Sequence, residues 1–133
     1  MALLNRDQIT AADDLAHEDV PVPEWGGTVR VRALTGQERD AWEASMLRLG
    51  PNGSVQARST KGVRVGLVAR TVIGEDGERL FTDKDMAALN EKSAAVIERL
   101  AAVARRLSGI GKEAAEEAAG KSEPTPDTAS PSD

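Results

Sequence analysis

The residues of this 133-residue chain with chemistry to offer are one histidine, a few acidic runs, two Gly-Lys pairs and an Arg-Arg pair. His17 would suit a metal or act as a base, but no second histidine and no cysteine exist to complete a site, so it reads as a solvated side chain. The acids of "GEDGERLFTDKD" invite calcium. A calcium loop needs them at positions 1, 3 and 5 ahead of its glycine, and ahead of Gly77 those places hold Val72, Gly74 and Asp76. A turn followed by a helix cap accounts for the run. "SGIGK" and "AAGK" end like a phosphate loop, yet Arg106 and Ala115 stand where its first glycine belongs. Arg105-Arg106 would meet phosphate, although basic residues are the ordinary complement of a helix C-terminus. Asp13-Asp14 and Glu116-Glu117 lack an apolar flank that would shift a pKa. The expectation is no catalytic residue, no cofactor-binding residue and no metal ligand, and hence not an enzyme.

The large side chains are more informative. There is no tyrosine and one phenylalanine, and both tryptophans fall in "VPEWGGTVRVRALTGQERDAWE". Trp25 lies beside a Gly-Gly turn and Trp42 on the helix that follows. The two rings serve either as a packing nucleus or as a docking surface, and Trp25, Trp42 and Met46 are the candidate partner-binding residues.

Composition narrows the partner. Seventeen Lys and Arg against 22 Asp and Glu give a net charge of -5, the wrong sign for nucleic acid or an anionic membrane. No apolar run reaches the ~20 residues that span a bilayer, and "MALLNRDQIT" turns polar too soon for a signal peptide, so a cytoplasmic protein is expected. With no cysteine and three aromatic rings in all, the core must come from aliphatic residues. A chain so short of apolar area is often completed by self-association or a partner.

The elements that must position these residues follow from caps and periodicity. Asn5 with Gln8 opens a short helix carrying Ile9, Ala12 and Leu15. Val20, Val22, Val29 and Val31 alternate around Trp25-Gly26-Gly27 as a hairpin over residues 20–32, whose first strand must be an edge because Pro21 and Pro23 lack amide donors. Thr35 and Glu38 form a capping box for a helix with Ala41, Trp42, Ser45, Met46 and Leu49 on one face, closed by "GPNG". In "SVQARSTKGVRVGLVARTVI" the length favours a helix. The Asp-Gly of "IGEDGERLF" predicts a second short ribbon. Thr82 with Asp85 caps the next helix, with Phe81 and Met86 as a hydrophobic staple. "SAAVIERLAAVARRLSG" is an amphipathic helix with Val96, Leu100, Val103 and Leu107 on one stripe, ended by Gly109 with Ile110 placed for a Schellman contact. "KEAAEEAA" extends a final polar helix. From Gly120 the chain has no Leu, Ile, Val or aromatic residue and is expected to be disordered. The fold class expected is mainly α (α+β): a small helical domain over residues 1–119 with an N-terminal β-hairpin and a second short β-ribbon, then a disordered acidic Pro/Ser/Thr-rich tail over 120–133.

The order of these pieces resembles the tail assembly chaperones of long-tailed, siphovirus-type bacteriophages, in the form common in phages and prophages of actinobacteria. The resemblance is carried by "LNRDQI", "VPEWGGTVRVRALTGQERDAWE", "VIGEDGERLFTDKDMAALNEKSAA" and "ARRLSG", spread over residues 3 to about 117, and it departs from the family pattern at "GIGKEAAEEAAG". It implies a non-enzymatic protein that binds the helical, apolar tape measure protein and keeps it soluble until the tail tube polymerises. It also implies self-association, a location in the cytoplasm of the infected or lysogenic host, and absence from the mature virion. A longer product made by ribosomal frameshifting is implied as well. Gly120-Lys121 is the candidate position, since a Gly-Lys pair can be encoded by a G-run followed by an A-run. The alternative is a small structural or adaptor protein of the tail or head-tail region. A DNA-binding regulator would need a basic helix face.

Overall fold

A computed structural model describes residues 2–49, 52, 55–58 and 62–111. The polar helix expected at 112–119, the tail and Gly120-Lys121 lie outside the described residues. The fold is a small α+β domain. Helix α1 spans Arg6–Ala11, strands β1 and β2 span His17–Val22 and Gly27–Arg32, and helix α2 spans Gly36–Ala44. Strands β3 (Leu47–Leu49) and β4 (Val55–Arg58) precede helix α3 (Val63–Thr71), strand β5 (Val72–Ile73), helix α4 (Met86–Asn90) and helix α5 (Ala94–Leu107).

Strands β1, β2 and β5 form an antiparallel sheet in that order, and β3 pairs with β4. Val20 lies opposite Val29, and Val31 opposite Val72. The edge position of β1 follows from Pro21, which has no amide to give to a second neighbour. His17 begins this strand, exposed, and is not a loop residue. The sheet buries Val20, Val22, Val31 and Val72 against α3 and α5, so the core is an aliphatic sandwich between one sheet face and two helices.

The caps behave as their chemistry requires. Asn5 and Gln8, Thr35 and Glu38, and Thr82 and Asp85 each form a reciprocal capping box. At the end of α5, Gly109 takes φ +72°, the Ile110 amide donates to Arg105 O at 2.8 Å, and the Gly109 amide donates to Arg106 O at 3.3 Å, completing a Schellman motif. The Leu34 amide donates to Ser108 Oγ at 2.9 Å, fastening the β2–α2 junction to the end of that helix.

Three expectations are corrected. Helix α1 stops at Ala11, so Leu15 lies beyond it. Helix α2 stops at Ala44, and Leu47–Leu49 is a strand. Ser45 Oγ donates back to Trp42 O, a local bond that competes with helix propagation. The single helix expected through residues 54–73 is instead strand β4 followed by α3, which begins after Gly62 in the left-handed region at φ +73°. Gly62 starts the helix by backbone freedom, leaving no side-chain cap to be read in the sequence.

The buried stripe of α5 is Val96, Ile97, Leu100, Ala101 and Ala104. Val103 and Leu107 pack half-buried at its side. The alanines let α3 approach closely, so the helix turns a face of mixed size inward.

Candidate partner-binding surface

The three candidate residues are not brought together on one surface. Trp42 is 7% exposed, packed in the core, and its indole Nε1 donates to Val63 O at 2.9 Å. Met46 packs half-buried at the edge of that core. Trp25 is 38% exposed. Trp42 therefore acts as a packing nucleus, and Trp25 is the most exposed of the three.

Trp25 is held by backbone and charge. It ends a 3-10 turn, Pro23–Trp25, and Gly26 follows at φ +80°, which a side chain would strain. Glu24 in the same turn accepts two bonds from the Arg99 guanidinium, at 2.9 and 2.7 Å, so the turn is clamped to α5. Those bonds hold the Glu24 carboxyl at about 2, well below the usual carboxylate range. Asp19 and Arg30, directly opposite across β1 and β2, make a bidentate pair at 2.7 and 3.1 Å. That pair lowers the pKa of Asp19 and raises that of Arg30.

The ribbon at residues 72–80 supplies the other wall. The Gly74 amide donates to Glu78 O at 2.9 Å, the Leu80 amide donates to Val72 O at 3.1 Å, and Gly77 turns the chain at φ +83°. This is the short ribbon expected from Asp76-Gly77, and its first strand joins the hairpin as a third strand. Leu80, 58% exposed, leans over Gly74, where an added Cβ would lie 3.1 Å from Leu80 Cδ2.

Trp25 and Phe81 line two adjoining grooves. One is shared with Val29, Ile73 and Leu80, and the other with Ala88 and Leu89. Together they make an apolar strip over the sheet edge and the second half of α4. Charge is uneven along it: Asp19, Arg30 and Glu75 line the first groove, where Asp19 and Arg30 are paired with each other, and Lys92 lines the second. The motif "EW" in the hairpin turn pointed to Trp25. Leu80 and Phe81 carried no signal as surface residues, because only the ribbon's pairing brings them beside a side chain more than fifty positions away.

Among the described residues no group of three or more His, Asp and Glu side chains could hold a metal ion, and every buried side-chain nitrogen or oxygen has a hydrogen-bond partner. Arg105 pairs with Glu98 within α5 at 2.7 Å and Arg106 with Glu18 of β1, so both guanidinia are engaged in ion pairs. Among the described residues no helix is long and apolar enough to cross a membrane.

Comparison with known proteins agrees with the architecture. The family described as phage tail assembly chaperone matches residues 6–121. A solved structure, the tail assembly chaperone of bacteriophage HK97, superposes with a TM-score of 0.55 at 20% identity, covering 80% of this chain and 95% of that one. At that identity the likeness speaks for the fold. No curated protein matches the chain.

Proposed function

Because the chain belongs to the phage tail assembly chaperone family, we propose that it binds the tape measure protein and keeps that long apolar helix soluble until the tail tube polymerises around it. The work is done by binding alone, with no catalytic step and no cofactor. The body of the chain, residues 1–119, associates with further copies of itself. The chain beyond it is where a frameshifted longer form diverges, at or near Gly120-Lys121. The extension recruits the tape measure protein, and the shared body assembles around it. The host, on the resemblance, is an actinobacterium, and the protein acts in its cytoplasm and leaves before the virion matures.

The observation that supports this reading most is the strip at Trp25, Leu80 and Phe81. An acidic chain with a small core leaves Trp25 and Leu80 exposed beside the half-buried Phe81 on one surface, and such a patch marks an interaction site. Held on a charged exterior, it allows association while the assembly stays soluble.

Mass spectrometry of the native locus tests the two-product form. Two proteins sharing residues 1 to about 120, the longer one co-purifying with the tape measure protein, are expected. One product that never co-purifies would remove the division of labour, and its presence in finished virions would favour the adaptor alternative.

A further inference from the structure

The segment before β1 is built but unused. Helix α1 has a complete capping box, with the Gln8 amide donating to Asn5 Oδ1 at 2.8 Å and the Asn5 amide to Gln8 Oε1 at 2.9 Å. Yet it buries no residue. Leu3 is 97% exposed, Leu4 65% and Ile9 58%. Leu4 stands just before the N-cap and Ile9 at the fourth helical position, the pair that forms a hydrophobic staple, so the cap presents them on one side. A six-residue helix does not persist in water on its own hydrogen bonds.

We propose that this arm, residues 2–14, docks in the Trp25–Leu80–Phe81 strip of a second copy of the chain. The inference rests on the self-association proposed above and names its surfaces. Charge selects the direction. The arm carries Arg6 at its start, loosely paired with Asp7 at 3.5 Å, and Asp13 and Asp14 at its end. At one end of the strip Asp19 is neutralised by its pair with Arg30, which leaves Glu75 as the uncompensated charge; at the other end stands Lys92. Arg6 therefore meets Glu75 and Asp13-Asp14 meet Lys92; the reverse direction sets Asp13-Asp14 against Glu75 and Arg6 against Lys92.

That direction requires a neighbouring copy. Ala16 O accepts the Ala33 amide at 2.9 Å, so the chain is pinned to the sheet at the end of β1 remote from Trp25. Asp14 lies two residues before this anchor, a reach of roughly 7 Å. Strand β1 carries the chain roughly 20 Å onward before the Trp25 turn. The chain's own acids fall short of its own Lys92. Each copy thus offers one arm and one strip that it cannot fill in this direction, a head-to-tail contact that propagates along a series of copies.

The absence of cysteine from the sequence makes the test direct. Full-length Leu4→Cys and Leu80→Cys variants, each exposed and outside the core, are mixed and mildly oxidised. Leu4→Cys with Glu43→Cys, on α2 outside the strip, serves as the control. A mixed disulfide at least roughly tenfold above the control pair is expected, because docking raises the effective concentration of the two thiols. Deletion of residues 2–11 is expected to shift the chain to monomer in sedimentation while the melting temperature holds. In a chain carrying both Leu4→Cys and Leu80→Cys, a disulfide formed within that chain, independent of dilution, would overturn the proposal by placing the arm on its own strip. An armless chain that self-associates as the full chain does would overturn it and leave self-association standing. A full chain monomeric at every concentration would remove both readings. Protection of Leu80→Cys from maleimide by co-expressed tape measure protein, without any mixed disulfide between copies, would assign the strip to that client instead.

Discussion

The indole Nε1 of Trp42 donates to the carbonyl of Val63 at 2.9 Å, fixing α2 to the first residue of α3. The ring thereby fills the core and leaves no polar edge unsatisfied. Trp42→Phe keeps most of the packing and loses the bond, and is expected to lower stability by ~1 kcal/mol. Trp42→Ala should lower it by ~3–5 kcal/mol. Urea unfolding of the two variants checks both the values and their order.

Leu100 is fully buried between α3 and the sheet. Leu100→Ala is expected to lose ~2–5 kcal/mol, whereas Val103→Ala, half-buried at the flank, should lose clearly less. Equal losses in denaturant melts would mean that the stripe faces the core differently.

Acid sensitivity follows from Arg32 and Glu38. Their bidentate bonds, 2.7 and 2.9 Å, join the end of β2 to the first turn of α2 and hold the Glu38 carboxyl at about 2, below its ordinary 4.5. A carboxylate with a lowered folded-state pKa contributes stability that is present above the unfolded value and lost as the pH falls through the folded one. The loss therefore runs from about pH 4.5 down to about 2. Glu38→Gln keeps a side chain able to cap and removes the titration. Its stability should vary less across that window, by on the order of 1–3 kcal/mol. Thermal melts from pH 5 to pH 2 measure the difference, and identical slopes would contradict it.

How much of this was legible in the sequence depended on how local the cause was. The capping boxes at Asn5, Thr35 and Thr82 and the Schellman end at Gly109 are set by residues three to five apart, and each stands in the structure. The edge strand followed from Pro21 alone. The β3–β4 ribbon and the late start of α3 were not legible. Leu47 and Leu49 fit a helix face and a strand equally well, and Gly62 starts its helix through φ rather than through a side-chain cap. At the candidate surface, the choice between core and interface for Trp25 and Trp42 needed the position of Val63 and of the Leu80 ribbon, which only tertiary packing supplies.

Leu80 separates folding from association. It is exposed, so Leu80→Ser should change stability by less than about 0.5 kcal/mol. The same variant is expected to weaken self-association in sedimentation. A large fall in melting temperature would make Leu80 a core residue instead of a surface one.

The central claim is that this protein keeps the tape measure protein soluble. The most direct measurement is the soluble fraction of the tape measure protein expressed alone, with the native locus of this chain, and with a Trp25→Ala, Leu80→Ser version of it. A marked rise with the native locus, lost with the doubly substituted version although that protein still folds, is the expected result. A soluble fraction that the native locus leaves unchanged, with both proteins well expressed, would contradict the account.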